Sequence, residues 1–393
     1  MVSGFQRRKG AEVDFSWSEE ERQLKESIIR FARRELAESA IERDRMEHFD
    51  RDLWERCARF GIPGLPFPVL YGGQGLDIFS TVGAMEGLGY ACRDNGLLFG
   101  LNAQMWSVQM PIHRFGTPDQ KERFLRPLCE GTLVGAHAMT EPASGSDAFS
   151  LSTTAVREGD FYRLSGSKTF VSLAPVADLF VVFATVNRKA GFLGVTAFLL
   201  ERDTAGLRVG NPISKLGLRS CPWAEVFLED CLVPLENRLG DEGAGATLFN
   251  DSMEWERGCL LAGTVGAMER QLEDCVEYAK TRRQFNSPII RFQSISNLLV
   301  GMRLRLETSR LLLHRMASEK ASGKRCRELA AMAKLHISES WKQSSLEAIQ
   351  IHGGYGYSVE FEVERDFRDA IGGTIYSGTS EIQMQIIADA LLG

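Results

Sequence analysis

"AHAMTEPASGSDAFS", residues 136–150, gathers Thr140, Ser144, Ser146 and Ser150 around Pro142 and Gly145. The stretch follows a short apolar run of strand character. Hydroxyls and backbone N–H groups on such a loop offer donors to a polar ligand, and glycine lets the chain approach it closely. A serine-rich surface turn has the same composition. The loop therefore takes its meaning from what surrounds it.

Downstream the texture is that of a sheet. "TTAVREGDFYRLSGSKTFVS" (153–172) carries the turn signal Gly-Asp at its middle and predicts a hairpin. "DLFVVFATV" (178–186), "VTAFLLE" (195–201) and "AEVFLED" (224–230) are β-branched and aromatic runs of strand length. Residues 134–240 read as a middle, antiparallel β domain.

Helical patterns flank this block. Ser18 opens "SEEE", a capping box with Glu21, and Leu24, Ile28, Phe31 and Ala32 follow at helical spacing. "GIPGLPFPVLYGGQGLD" (61–77) cannot be regular helix. Helical runs at 80–92 and 104–115 lead into "GTPDQKERFL", where Thr117 is the expected N-cap and Pro118 the first helical residue. Beyond 241, runs at 243–281, 292–322 and 326–351 keep a period near 3.6; Ile295, Leu298, Leu299, Met302 and Leu306 are one stripe. Long antiparallel runs of this kind predict an up-and-down four-helix bundle. The fold class is thus α+β, with a helical domain at 14–133, the β domain at 134–240 and the bundle at 241–393.

Composition excludes several functions. The chain has 393 residues, 44% hydrophobic and 25% charged, with a net charge of −6, which is not the basic excess of a nucleic-acid binder. No apolar stretch is long enough to span a bilayer. The opening MVSGFQRRKG has a basic cluster but no apolar core, so it is not expected to be a secretory signal. Eight cysteines and six histidines are scattered without ligand spacing. That predicts reduced thiols in a cytoplasmic protein and no metal site.

Two further stretches complete the pattern. In "QIHGGYGYSVEFEVERDFRD" (350–369), Gly353, Gly354 and Gly356 interrupt a helix and open the backbone to something flat or anionic. In "TIYSGTSEIQ" (374–383), Gly378 and Thr379 stand at the start of the last helix, whose amides suit an anion or a carbonyl. ThrGluPro at 140–142, GlySerAsp at 145–147, and Gln350–Gly356 followed by Glu360, Arg368 and Asp369 together resemble the acyl-CoA dehydrogenase family of flavoproteins. The resemblance runs from about Phe15 to Leu391.

The resemblance implies bound FAD and a set of roles. Met139 and Thr140 would meet the pyrimidine edge of the flavin, with Phe170 and Ser172 beside its ring. Arg282, Phe285 and Gln293 would reach the FAD of a neighbouring subunit, as would Gln350, Gly353 and Gly354. Thr379 and Glu381 would lie toward the adenylate. Ser146 would touch the pantetheine arm, Arg257 the substrate, and Tyr376 the acyl pocket. Taken from the residues alone, Phe170 could equally be β-domain core and Arg282 a solvated charge. The cross-subunit contacts imply a dimer of dimers, a homotetramer.

Oxidising an acyl thioester between its α and β carbons needs a base, donors to the thioester carbonyl and a hydride acceptor. In most of the family the base is a glutamate immediately before the GlyThr of the last loop. Here that position holds Ser377, which keeps only its backbone N–H as a carbonyl donor. Some members, including isovaleryl-type, long-chain and carrier-protein prolyl dehydrogenases, place the base just before an arginine on an earlier helix. Glu256, before Arg257 in "SMEWERGCLLAGTVGAM", fits that position. Leu260, Gly263 and Ala267 share its helix face, so burial would raise its proton affinity, while Glu254 points elsewhere.

The expected function is therefore an FAD-dependent dehydrogenase of a short or branched acyl thioester, carried on coenzyme A or a carrier protein. Its electrons would pass to an electron-transfer flavoprotein or oxygen. The alternatives are a flavin monooxygenase or oxidase on the same fold, and a flavin-binding protein without turnover. His137, where many members have a larger apolar side chain, leaves the acyl pocket open.

Overall fold

The computed structural model describes residues 17–393. The basic cluster near the start, and the first residues of the domain expected from 14, lie outside the described residues. Both sequence-read caps form. Ser18 and Glu21 bond each other's backbone N–H at the head of Glu19–Glu35, and Thr117 with Gln120 does the same before Pro118.

Eight strands make the middle sheet: β1 (Gly135–Ala138), β2 (Thr154–Glu158), β3 (Phe161–Ser172), β4 (Leu179–Thr185), β5 (Val195–Glu201), β6 (Leu207–Val209), β7 (Trp223–Pro234) and β8 (Arg238–Leu239). The Gly-Asp hairpin joins β2 to β3, with Glu158 opposite Phe161. Most pairings are antiparallel, as expected. However, β1 and β2 each run parallel to β4, β1 beside Leu179–Val182 and β2 beside Thr185. Every residue of β4 is buried, and its alternation divides two cores. Leu179, Val181 and Phe183 face the core shared with the helices; Phe180, Val182 and Ala184 face a second core against β3 and β7.

The bundle follows with Gly245–Cys259, Ala262–Thr281, Gln293–Ala321 and Arg327–His352. The run expected as one helix over 243–281 is two, broken at Leu260 and Leu261. A side chain on Gly89 would fall 1.9 Å from the Gly263 carbonyl, and one on Gly266 would fall 1.9 Å from that of Glu86. The small residues after Glu256 thus let Ala262–Thr281 lie backbone to backbone on Ile78–Ala91. At that crossing Glu86 is wholly buried and meets Lys25 (3.0 Å), Arg310 (2.9 Å) and His314 (3.3 Å). Burial opposes its charge, but those three partners outweigh burial and hold the carboxyl down at about 2.

A second buried pair fixes the loop that carries Met139 and Thr140. Lys168 of β3 donates to the Met139 carbonyl (3.1 Å) and to Glu141 (2.7 Å), whose carboxylate also accepts from the backbone N–H of Ser152 and Thr153. These bonds keep Glu141 ionised against the cost of burial. Replacing Lys168 with methionine strands that carboxylate. A loss of about 3–5 kcal/mol in unfolding free energy is expected by denaturant titration; a loss below about 1 kcal/mol would contradict the assignment.

Candidate active site

The Gly245–Cys259 helix carries Glu256 into the interior, where the residue is only 7% exposed. Burial pushes its carboxyl above the usual range, against two hydroxyl donors and the charges of Arg257 and Lys334. Ser107 donates to one carboxylate oxygen and Ser377 to the other. Glu254 points away, accepting from Lys320 and from the Cys326 N–H (2.8 Å).

Ser377 sits in a turn that few residues adopt, with φ 58° followed by Gly378 at φ 89°. Three side chains hold that turn by its carbonyls. Arg257 Nε donates to the Ser377 carbonyl (2.8 Å), Lys334 Nζ to that of Gly378 (2.8 Å), and Gln383 Nε2 to both (3.2 and 2.8 Å). Burial draws Arg257 down to about 10 and Lys334 to about 8. The Ser377 N–H has no partner among the described residues.

Ser107 has a structural cause of its own. Residues 104–109 form a π-helical turn in which the Met110 N–H reaches back to the Met105 carbonyl. Pro111 stands four residues after Ser107, offers no N–H to the Ser107 carbonyl, and crowds it. A widened turn relieves that conflict.

A cavity of about 20 Å³ is lined by Asn95, Phe99, Leu218, Leu260, Gly263 and Tyr376, among others, with Leu260 four residues after Glu256 and Tyr376 next to Ser377. The Tyr376 ring packs 4.7 Å from Phe99. A side chain filling more than this space must push the lining apart.

A larger, open cavity of about 890 Å³ lies at the far end of the bundle and brings Arg282, Phe285, Gly353 and Gly354 together. Phe285 is 91% exposed, and Arg282 stands 5.6 Å over the Tyr355 ring just beyond its helix. Gly353 has φ 59° and ψ −131°, a glycine conformation, and a Cβ on it or on Gly354 would meet nothing within 4 Å. Bare backbone, aromatic walls and one cation suit a flat anionic group. Gln293 and Gln350 are exposed and lie next in sequence to the lining residues Phe292 and Ile351.

In the β domain Met139 is buried and Thr140 half-buried. Phe170, at φ 54°, is 53% exposed and packs on Trp223, so it is not core. Ser172 pairs with Trp223 across the sheet. Ser146 is exposed on its loop, Thr379 caps the last helix, and Glu381 is exposed in its first turn. His137 is enclosed by Phe183 and Phe249, and burial lowers it to about 4. Among the described residues no cluster of His, Cys, Asp and Glu could hold a metal ion, and no helix is long and apolar enough to cross a membrane.

The family models of the acyl-CoA dehydrogenase N-terminal, middle and C-terminal domains match residues 18–132, 136–231 and 243–392. The chain is 43% identical over 380 residues to an L-prolyl-[peptidyl-carrier protein] dehydrogenase of Pseudomonas fluorescens, covering 96% of this chain and 100% of the relative. Among solved structures, the prolyl acyl carrier protein oxidase AnaB superposes with TM-score 0.95 at 48% identity, covering 96% of this chain and 100% of that one. PigA with FAD and proline superposes with TM-score 0.94 at 41% identity, covering 96% and 99%.

A carboxyl held above its usual range binds its proton more tightly in the folded protein than in the unfolded chain. The stability it contributes is present below the unfolded value and lost as pH rises through the folded one. Glu256→Gln removes that loss. Its melting temperature at neutral pH is expected to equal or exceed the parent's, by calorimetry across pH; a clearly lower value would reverse the sign.

Proposed function

The chain belongs to the acyl-CoA dehydrogenase family, and on that premise we propose that Glu256 is the base with which it introduces an α,β double bond into a short or ring-bearing acyl thioester. The observation that carries this is the hydrogen bond that joins a buried carboxylate to a facing turn whose own N–H is free, with the neighbouring Leu260 and Tyr376 lining one small cavity. Glu256 takes the α proton, breaking that C–H bond and leaving its electron pair on the acyl group. The Ser377 N–H stabilises the charge that develops on the thioester oxygen. The β hydrogen then leaves as hydride, and bound FAD supplies the acceptor.

The residues fit FAD. Met139, Thr140, Phe170 and Ser172 would hold the ring of the protomer's own cofactor, with Thr379 and Glu381 toward its adenylate. Arg282, Phe285, Gln293, Gln350, Gly353 and Gly354 would receive that of a neighbour in a homotetramer, each chain dividing into its three domains at 133/134 and 240/241. Arg257 serves the substrate through the Ser377 turn that it holds. Tyr376 lines the acyl space and Ser146 meets the pantetheine arm, whether the carrier is coenzyme A or a protein.

The tight cavity supports a small acyl group, and the names of the relatives favour L-proline on a carrier-protein thioester. Electrons would leave to an electron-transfer flavoprotein or oxygen, in the cytoplasm. The monooxygenase alternative is not favoured, since hydroxylation needs no α-proton base such as Glu256.

Anaerobic titration with L-prolyl carrier protein and with short acyl-CoAs tests the reading. Flavin bleaching is expected in the parent and should fall at least about a hundredfold in rate in Glu256→Gln, with FAD still bound. Bleaching at the parent's rate in the variant would remove Glu256 from the role. Absence of bleaching with every thioester would favour the binding-protein alternative.

A further inference from the structure

The established features of the site leave one arrangement unexplained. A buried glutamate could be steadied by a cation, and two stand close: Arg257 on its own helix and Lys334 on Arg327–His352. Neither makes a hydrogen bond to it. Both are spent on the carbonyls of the Ser377–Gly378 turn. The carboxylate is instead met by two neutral hydroxyls, one on each oxygen, from segments 270 positions apart in the chain: Ser107 and Ser377.

We propose that Ser107 and Ser377 are positioning residues for the α-proton base, holding the two oxygens of Glu256 so that it is ionised and aimed in the resting enzyme. The proposal rests on the reading of Glu256 as the base. Each carboxylate oxygen has two lone-pair directions; one hydroxyl occupies one of them and leaves the other for the incoming proton. A direct ion pair would lock the charge in place and weaken the base. Hydroxyl donors fix the direction with a smaller loss of basicity, and they can turn when the carboxyl becomes protonated.

Local structure supports the assignment at both ends. Pro111 forces the widened turn over 104–109, which presents Ser107 to the Gly245–Cys259 helix. Ser377 accepts a left-handed backbone that favours glycine, and its turn is held by three side chains. The vacated base position thus keeps a function: its side chain holds the relocated base, while its N–H stays unpartnered among the described residues. Tyr376, from the last loop, also meets the charge of Glu256, and Arg327, Glu339 and Glu381 act on Arg257 and Lys334; the 104–109 turn brings no titratable group.

The test is an infrared titration of the Glu256 carboxyl in holoenzyme without substrate, identified by its loss in Glu256→Gln. Ser107→Ala and Ser377→Gly each remove one hydroxyl, and glycine keeps the left-handed turn and its N–H. Each variant should raise the Glu256 pKa by about one to two pH units, a ten- to hundredfold change in proton affinity. The acid limb of kcat/KM should move by the same amount, with FAD content unchanged. Ser107→Thr, which retains a hydroxyl, should restore the parent value. An unmoved Glu256 titration in both hydroxyl-free variants would overturn the proposal. So would a shift that Ser107→Thr fails to reverse. Because the titration needs no turnover, its result stands apart from whether Glu256 is the base, which the Glu256→Gln bleaching experiment decides.

Discussion

A carboxylate withdrawn from water must find donors, and the arrangement around Glu256 follows from that constraint. The residue lies where three segments distant in sequence converge: the 104–109 turn, the Gly245–Cys259 helix and the 376–379 loop. Each of the three is bent away from regular structure. Pro111 widens the first, the second stops at Leu260–Leu261, and the third passes through two left-handed residues. These irregularities would cost stability in a scaffold without a site. Here they bring two hydroxyls, a carboxylate and a free N–H into one small volume.

The rest of the molecule supplies rigidity around that point. Glycines at 89 and 266 allow two helices to touch by their backbones. The buried pair of Lys168 and Glu141 holds the loop after β1 against β3. The side chains of Arg257 and Lys334 are directed at carbonyls, so they stabilise the turn, and their charges lower the proton affinity of Glu256 less than the two hydroxyls do. On the proposed roles of Glu256 and Ser377, a small cavity and fixed groups suit a short substrate better than a long flexible chain.

Much of this was legible in the residues. The caps at Ser18 and Thr117 and the hairpin at Gly159–Asp160 are local, and each formed as read. The long amphipathic runs gave the bundle, because their period reports burial on one face. What local pattern could not reveal was pairing between distant segments. The parallel contacts of β1 and β2 with β4 join segments far apart in the chain, and the helix break after Cys259 falls between Gly258 and Gly263, glycines that a continuous helical run also tolerates.

The site divides in the same way. Glu256 and Ser377, which family position marks, are joined by a hydrogen bond, Tyr376 lines the small cavity, and Arg282, Phe285, Gly353 and Gly354 line the large one. Ser107 was missed. Its only signal was Pro111 four residues later in an otherwise helical run. Ser377 was credited with its amide alone, since nothing in the loop indicates that its hydroxyl reaches Glu256. The central claim is that Glu256 removes the α proton, and proton exchange tests it most directly. A short acyl thioester that binds without being oxidised, followed by proton NMR in D₂O, should lose its α proton with the parent and with Glu254→Gln, and keep it with Glu256→Gln. Exchange at the parent's rate in Glu256→Gln would contradict the account.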